Sequence, residues 1–217
     1  MISPIQTAIL PLPPVHRSEV LRYAGAREET PEIAALLDGV LEEAGAAFCG
    51  RVCWREFPVT CCNDELDLGF ARTSSTALQL HLSGCDRVLI FAATVGLEID
   101  RLILRRGKTD PARALMLQAL GTERIEALCD AFQELAAGER PATSRFSPGY
   151  GDLPLEFQQE LFRVLDCSRT IGLSLNESLI MSPSKSVTAI LGIGASRCAE
   201  HNCARCGKTD CIYRRLP

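Results

Sequence analysis

RVLIFAATV, residues 87–95, is a short run of apolar residues. Its length and β-branched content predict a buried core strand. A second run, SVTAILGI at 186–193, predicts another core strand, and the alternating bulky residues of 51–59 predict a third. Residues 66–70 are predicted to pair with 51–59 across a turn near residues 63 and 64. These strands form the sheet around which the chain is expected to fold.

Helical patterns surround the predicted strands. Thr30 before Pro31 is a good start for an amphipathic helix over 32–48, and Asp110 before Pro111 starts a long helix towards Ala137. Shorter helical patterns lie at 19–23, 74–82, 97–105 and 155–165. Because strands and helices are mixed without regular βα alternation, the sequence predicts an α+β fold. Its sheet is expected to be mostly antiparallel with flanking helices.

The composition limits the classes of function. A chain of 217 residues is long enough for one core of ordinary size. The net charge of -4 gives no electrostatic reason to expect binding to nucleic acid or to a membrane surface. The proline-rich segment 1–15 has neither the charge nor the cleavage site of a signal peptide, so it is predicted to be an extended surface arm. A cytoplasmic location is therefore expected.

The cysteines concentrate at the C-terminal end. Of 11 cysteines, four form the pattern C-x4-C-x2-C-x4-C. They are Cys198, Cys203, Cys206 and Cys211. Thiolates at this spacing can hold zinc or an iron–sulfur cluster, so the segment is predicted to bind a metal, with unligated thiols or a redox pair as alternatives. Two parts are thus predicted: a domain over 1–195 and a Cys-rich metal-binding tail over 196–217.

The segment RFSPGYGDLP, residues 145–154, combines two prolines with two glycines. Loops of this composition often bring backbone close to a ligand. Arg145 at its start can bind a carboxylate through two parallel hydrogen bonds. The alternative is a structural connector whose arginine pairs with a nearby acid.

The pattern Arg145-x-x-x-Gly149-Tyr150 resembles the signature of the activation domain of cobalamin-dependent methionine synthase. The similarity continues through Pro154 and the following helix, then through residues 171–178, 181–183 and 186–194. The helix over 116–134 also resembles that family's helix before the loop. The resemblance extends over roughly residues 86–194 and implies that family's α+β fold.

The resemblance implies a binding site for S-adenosylmethionine. Arg145 would meet the methionyl carboxylate, Tyr150 would lie near the ligand, and Ser147 would touch it through its backbone. Gly149 belongs to the same motif. The implied acidic contacts are Glu139, six residues before the arginine, and Glu126 on the preceding helix. No side chain is implied to act as a catalytic acid or base.

The acidic contacts keep some alternatives open. Glu123 replaces Glu126 if the register of the helix slips by one turn. The acid that the larger enzyme contributes from its N-terminal part has three candidates here, namely Asp64, Glu65 and Asp67. The family's more distant tyrosine contact has no counterpart, because the chain has entered the cysteine-rich segment.

The function implied is reductive methylation of cob(II)alamin by a free-standing counterpart of the activation domain, as a component of the methyltransferase. The cobalamin would be supplied by a methionine synthase subunit, and the electron by a donor such as flavodoxin or ferredoxin. The chain is not expected to hold cobalamin itself, because Gln79 stands where the aspartate of an Asp-x-His-x-x-Gly motif around His81 should be. The alternatives are a zinc-binding interaction module and an iron–sulfur electron-transfer protein for another corrinoid enzyme.

Overall fold

The computed structural model describes residues 3–62 and 65–194. Within this part of the chain, helices and strands are mixed, as the sequence predicts. The helices are α1 (Arg17–Ala24), α2 (Pro31–Ala44), α3 (Thr76–His81), α4 (Glu98–Gly107), α5 (Pro111–Ala137), α6 (Gln158–Leu165) and α7 (Cys167–Thr170), with a 3-10 turn at Leu155–Phe157. The strands are β1 (Gln6–Leu10), β2 (Gly50–Pro58), β3 (Thr60–Cys62), β4 (Glu65–Asp67), β5 (Arg72–Thr73), β6 (Arg87–Thr94), β7 (Ser174–Leu175), β8 (Met181–Ser182) and β9 (Ser186–Ile193).

The largest sheet in the described residues has the strand order β1-β2-β6-β9, and every neighbouring pair is antiparallel. The predicted core strands β6 and β9 lie side by side, with Ile90 opposite Ile190. Smaller antiparallel pairings join β3, β4 and β5, and β7 with β8. The predicted α+β fold with a mostly antiparallel sheet and flanking helices is confirmed.

Helices cover both faces of the large sheet, which explains why its central strands are apolar without alternation. Leu89, Phe91 and Ala93 of β6 belong to one buried cluster, with residues of α1, α2, α4 and α5. Val88 and Ile90 belong to the other cluster, with residues of α3, α6 and α7. The sheet therefore separates two apolar layers.

Helix α5 is the longest described element, and its ends follow from local chemistry. The side chain of Asp110 accepts a hydrogen bond from the backbone N–H of Arg113 at 3.0 Å, and Pro111 occupies the first helical position. Gly138 ends the helix with φ +58°. Buried residues occur along the whole helix, which lies against β6 and β9.

Two predictions about the strands need correction. Residues 65–67 pair with 60–62 instead of 51–59, whose neighbours are β1 and β6. Pro58 has no N–H for the ladder, and the N–H of Val59 bonds to Asp86 O at 3.1 Å as the chain leaves the large sheet. The predicted N-terminal surface arm is in part an edge strand, because residues 6–10 pair with β2.

Candidate functional site

The segment before the Arg145 loop extends the large sheet beyond β9. Phe146 and Ile190 exchange backbone hydrogen bonds at 3.0 and 2.8 Å, and the N–H of Thr143 bonds to Gly192 O at 2.9 Å. Phe146 packs into the cluster that faces α6. Because neighbouring side chains of an extended segment point to opposite faces, Arg145 points towards α5.

Arg145 lies between two carboxylates of α5. Its Nη2 is 2.8 Å from Oε2 of Glu126, and its Nη1 is 2.6 Å from Oδ1 of Asp130. The acids are four residues apart, so they share a helix face. The Arg145 side chain is 17% exposed, against 33% for Glu126 and 49% for Asp130. The cluster is therefore open to solvent on the side of the acids.

Burial and neighbouring charges act in opposite directions on Arg145. Burial favours loss of its charge, but the attraction of Asp130 and Glu126 outweighs burial and raises the pKa of Arg145 above its ordinary value. Burial, with the negative charge of Glu126, raises the pKa of Tyr150. At neutral pH the cluster therefore presents a guanidinium cation and a protonated phenol.

The loop after Arg145 closes on itself through backbone bonds. The N–H of Tyr150 donates to Ser147 O at 3.1 Å, and the N–H of Gly149 donates to Leu153 O at 2.9 Å. Gly149 has φ +89°, a conformation in which a side chain would be strained. Tyr150 remains 52% exposed, with its ring edge against Phe146. The turn thus holds the tyrosine at the rim of the cluster.

Helix α3 fixes the position of this loop. The carboxylate of Asp152 accepts hydrogen bonds from the backbone N–H groups of Thr76 and Ala77, at 2.8 and 3.1 Å, and from the hydroxyl of Ser75. His81 Nε2 lies 2.8 Å from Ser144 O, and its ring packs against Phe146. His81 therefore supports the segment that carries Arg145.

The structure brings together most of the residues predicted from the sequence. Arg145 contacts Glu126, and Ser147, Gly149 and Tyr150 form the adjoining turn. Glu139 is exposed beyond the end of α5, before the edge segment begins. The backbone turns at 138–140 and then runs beside β9 from Pro141, next to Gly194, to Phe146, opposite Ile190, so Glu139 precedes this segment and Arg145 lies near its other end.

The alternative acids are engaged elsewhere. Glu123 is buried on another face of α5, where it pairs with Arg124 at 2.5 Å. Asp67 pairs with Arg72 at 3.1 Å, and Glu65 is 3.5 Å from the same arginine. Asp64 lies outside the described residues. Sequence reasoning missed Asp130, although its i+4 spacing from Glu126 on a predicted helix was a usable signal.

The predicted metal ligands Cys198, Cys203, Cys206 and Cys211 also lie outside the described residues. Within 3–62 and 65–194, no group of three or more His, Cys, Asp or Glu side chains could hold a metal ion. In the same residues no helix combines the length and hydropathy needed to cross a bilayer.

Comparisons with known proteins agree with the resemblance. Residues 131–214 match the sequence family "Vitamin B12 dependent methionine synthase, activation domain". The match begins within α5 and extends past residue 195, the domain boundary predicted from the sequence. No curated protein sequence matches the chain.

Among solved structures, a similar fold is that of the MetH reactivation domain bound to AdoHcy, with a TM-score of 0.61 and 17% sequence identity. The alignment covers 90% of this chain and 80% of that one. The resemblance drawn from the sequence is thereby confirmed: this chain is similar to the vitamin B12 dependent methionine synthase activation domain, in sequence over residues 131–214 and in fold over most of its length.

Proposed function

We propose that this protein binds S-adenosylmethionine at the Arg145 cluster and supports reductive methylation of cob(II)alamin on a methionine synthase subunit. The observation that carries the proposal is the open pairing of Arg145 with two carboxylates beside a half-exposed tyrosine. The ligand has a carboxylate, an ammonium and a sulfonium, and this cluster offers one cation and two anions. The fold shared with a domain bound to AdoHcy supports the same choice of ligand.

Binding would exchange partners within the cluster. The ligand carboxylate accepts two parallel hydrogen bonds from one edge of the Arg145 guanidinium. Asp130 is the more exposed of the two acids and is the one displaced into water. Glu126 stays in place and accepts hydrogen bonds from the ligand ammonium. The Tyr150 hydroxyl remains available as a donor at the rim.

In this proposal the protein contributes to catalysis by positioning the methyl donor against its acceptor. One electron from a flavodoxin-type or ferredoxin-type donor reduces the partner's cob(II)alamin. The methyl group then passes from the sulfonium to cobalt, which leaves S-adenosylhomocysteine and methylcobalamin. The protein holds the methyl group in line with its acceptor, and such alignment supplies much of the rate enhancement in a group transfer.

The remaining assignments follow from the sequence. We place the binding domain at 1–195 and a tail at 196–217, whose four cysteines hold zinc or an iron–sulfur cluster. We also propose that the protein acts in the cytoplasm, where reducing conditions keep cysteines available as metal ligands. These assignments rest on the number and spacing of the cysteines.

Calorimetric titration of S-adenosylmethionine into the wild type and into Arg145→Ala tests the site. Loss of a charged hydrogen bond costs about 1.5–3 kcal/mol, so the variant should bind roughly ten to a hundred times more weakly. Arg163→Ala is the matched control, because Arg163 is exposed and, among residues 3–62 and 65–194, pairs only with nearby Glu160 on α6. Equal affinity in Arg145→Ala and the wild type would reject the site, and no binding to the wild type would reject the function.

A further inference from the structure

One face of α5 continues beyond the Arg145 cluster. Thr122, Glu126 and Asp130 follow one another at four-residue spacing, so they form a stripe along the helix. Arg145 meets the second and third members of this stripe. The first member, Thr122, meets a different cation, Lys185.

Lys185 is held in place by several contacts. Its Nζ donates to the hydroxyl oxygen of Thr122 at 3.1 Å, and its methylene chain lies against Gly121, where a Cβ would come within 3.0–3.2 Å of it. Its carbonyl accepts a hydrogen bond from the N–H of Val95 at 3.1 Å. Asp100 binds both the N–H and the hydroxyl of Ser184 at 2.7 Å, which fixes the preceding residue.

The ammonium of Lys185 has donors to spare. It carries three N–H groups, and within the described residues its hydrogen-bond partner is the hydroxyl of Thr122 alone. In the same part of the chain it forms no ion pair with a carboxylate, whereas Arg145 has two such partners. Its side chain is half-buried, and burial lowers its pKa despite the nearby charge of Asp100. A half-buried cation with unused donors is suited to acceptor atoms of a ligand.

The spacing of the two cations matches a ligand with two ends. Lys185 meets α5 at Thr122, and Arg145 meets it at Glu126 and Asp130, four and eight residues further on, which corresponds to about 6–12 Å along the helix. Between Lys185 and Ile190, which pairs with Phe146 next to Arg145, β9 carries the partly buried Val187, packed against the apolar cluster under α5. A partly exposed apolar side chain between two cations suits a molecule that joins an amino acid to a nucleoside.

We propose that Lys185 binds the adenosine half of the ligand, donating to a ribose hydroxyl or an adenine ring nitrogen, while Arg145 binds the amino-acid half. This inference rests on the proposed function, because it takes S-adenosylmethionine as the ligand. It adds a direction: the methionyl end lies towards Asp130 and the nucleoside end towards Thr122. No residue of the Arg-x-x-x-Gly-Tyr signature supplies this second contact.

Fragments of the ligand test the Lys185 end and the Arg145 end of the proposed site separately. S-adenosylhomocysteine has both halves, 5′-methylthioadenosine lacks the amino-acid half, and methionine lacks the nucleoside. Lys185→Met should weaken S-adenosylhomocysteine and 5′-methylthioadenosine about tenfold and leave methionine unchanged, because only the first two lose a charged hydrogen bond to the nucleoside. Arg145→Ala should weaken S-adenosylhomocysteine and methionine and spare 5′-methylthioadenosine. Calorimetry for the whole ligand and NMR titration for the fragments give these affinities.

Controls keep the two proposals apart. Lys108→Met removes an exposed lysine just after α4 and should change no affinity. Lys185→Arg keeps the charge and should recover part of the loss. If the wild type binds none of the three molecules, the proposed function fails. If Arg145→Ala weakens S-adenosylhomocysteine while Lys185→Met does not, or if Lys185→Met weakens methionine as much as 5′-methylthioadenosine, the role of Lys185 is rejected and that of Arg145 stands.

Discussion

Two of the arginine–carboxylate pairings that involve α5 differ in their surroundings. Glu123 and Arg124 are both almost fully buried, and Arg124 also donates to the carbonyls of Pro13 and Pro14 at 2.5 and 3.0 Å. Glu123 accepts in turn from the N–H of His16 at 3.0 Å. At Arg145, by contrast, the paired acids are one-third to one-half exposed.

The difference separates a structural pairing from one that can exchange partners. Around Arg124, backbone groups of the N-terminal arm complete the hydrogen bonding, so a ligand would have to displace the arm. Around Arg145, water or a ligand can reach the acids without any movement of the backbone. The same two residue types therefore fix the fold at one point of α5 and present a binding site at another.

The largest predicted effect comes from breaking the buried pair. Glu123→Ala leaves the Arg124 cation buried without its carboxylate, and such a change costs about 3–5 kcal/mol of unfolding free energy. Glu126→Ala should cost less, about 1 kcal/mol, because Glu126 is one-third exposed and Arg145 keeps its bond to Asp130. Urea denaturation measures both. Similar losses from the two variants would show that the contrast in exposure has no energetic meaning.

The next effect separates the two acids of the open cluster. Glu126→Gln should weaken S-adenosylmethionine about tenfold or more, because the ligand ammonium loses a charged acceptor. Asp130→Asn should leave affinity unchanged or raise it by a few fold. A neutral asparagine binds the Arg145 guanidinium less strongly than aspartate does, so the ligand carboxylate displaces it more easily. Calorimetry of the two isosteric variants makes the comparison. An equal loss in Asp130→Asn would mean that both acids contact the ligand.

How far the sequence predicts this site depends on the range of the contacts. Helix α5 was predictable because Asp110 and Pro111 mark its start and Gly138 its end. Arg145 and Tyr150 were found through a local motif. The sheet edge formed by residues 142–146 was not predicted, because it pairs with β9, more than forty residues later. The preceding Pro141 is also more typical of a loop than of a strand.

Lys185 shows the same limit. Its role depends on how the turn before β9 docks against Gly121, and no local pattern encodes that contact. The predicted pairing of residues 66–70 with 51–59 failed for a related reason. The sequence indicates where strands lie, whereas the choice of partner is made by packing across the whole chain.

A smaller effect concerns the loop that carries Tyr150. Hydrogen bonds from Ser75, Thr76 and Ala77 lower the pKa of Asp152 below its ordinary value. A carboxyl group whose pKa falls on folding binds fewer protons in the folded state, so its stabilisation is present above the unfolded pKa and is lost as pH falls through the folded one. Asp152→Asn should therefore flatten the loss of stability below about pH 4. Thermal unfolding from pH 7 to pH 2 tests this. If the variant loses stability with falling pH as steeply as the wild type does, the prediction is wrong.

The smallest effect on stability probes the boundary between the two regions of α5. Gly121→Ala places a methyl group 3.0 to 3.2 Å from the methylene chain of Lys185, which is flexible enough to move aside. Alanine favours the helix by about 0.5–1 kcal/mol over glycine, so the net change in unfolding free energy should stay within about 1 kcal/mol. The ammonium, however, is pushed from its place beside Thr122. If the open face of α5 is the binding face, Gly121→Ala should weaken 5′-methylthioadenosine while the protein remains as stable as the wild type. Unaltered affinity would mean that the nucleoside binds elsewhere. A change in stability without a change in affinity would mean that Gly121 serves only to pack the core.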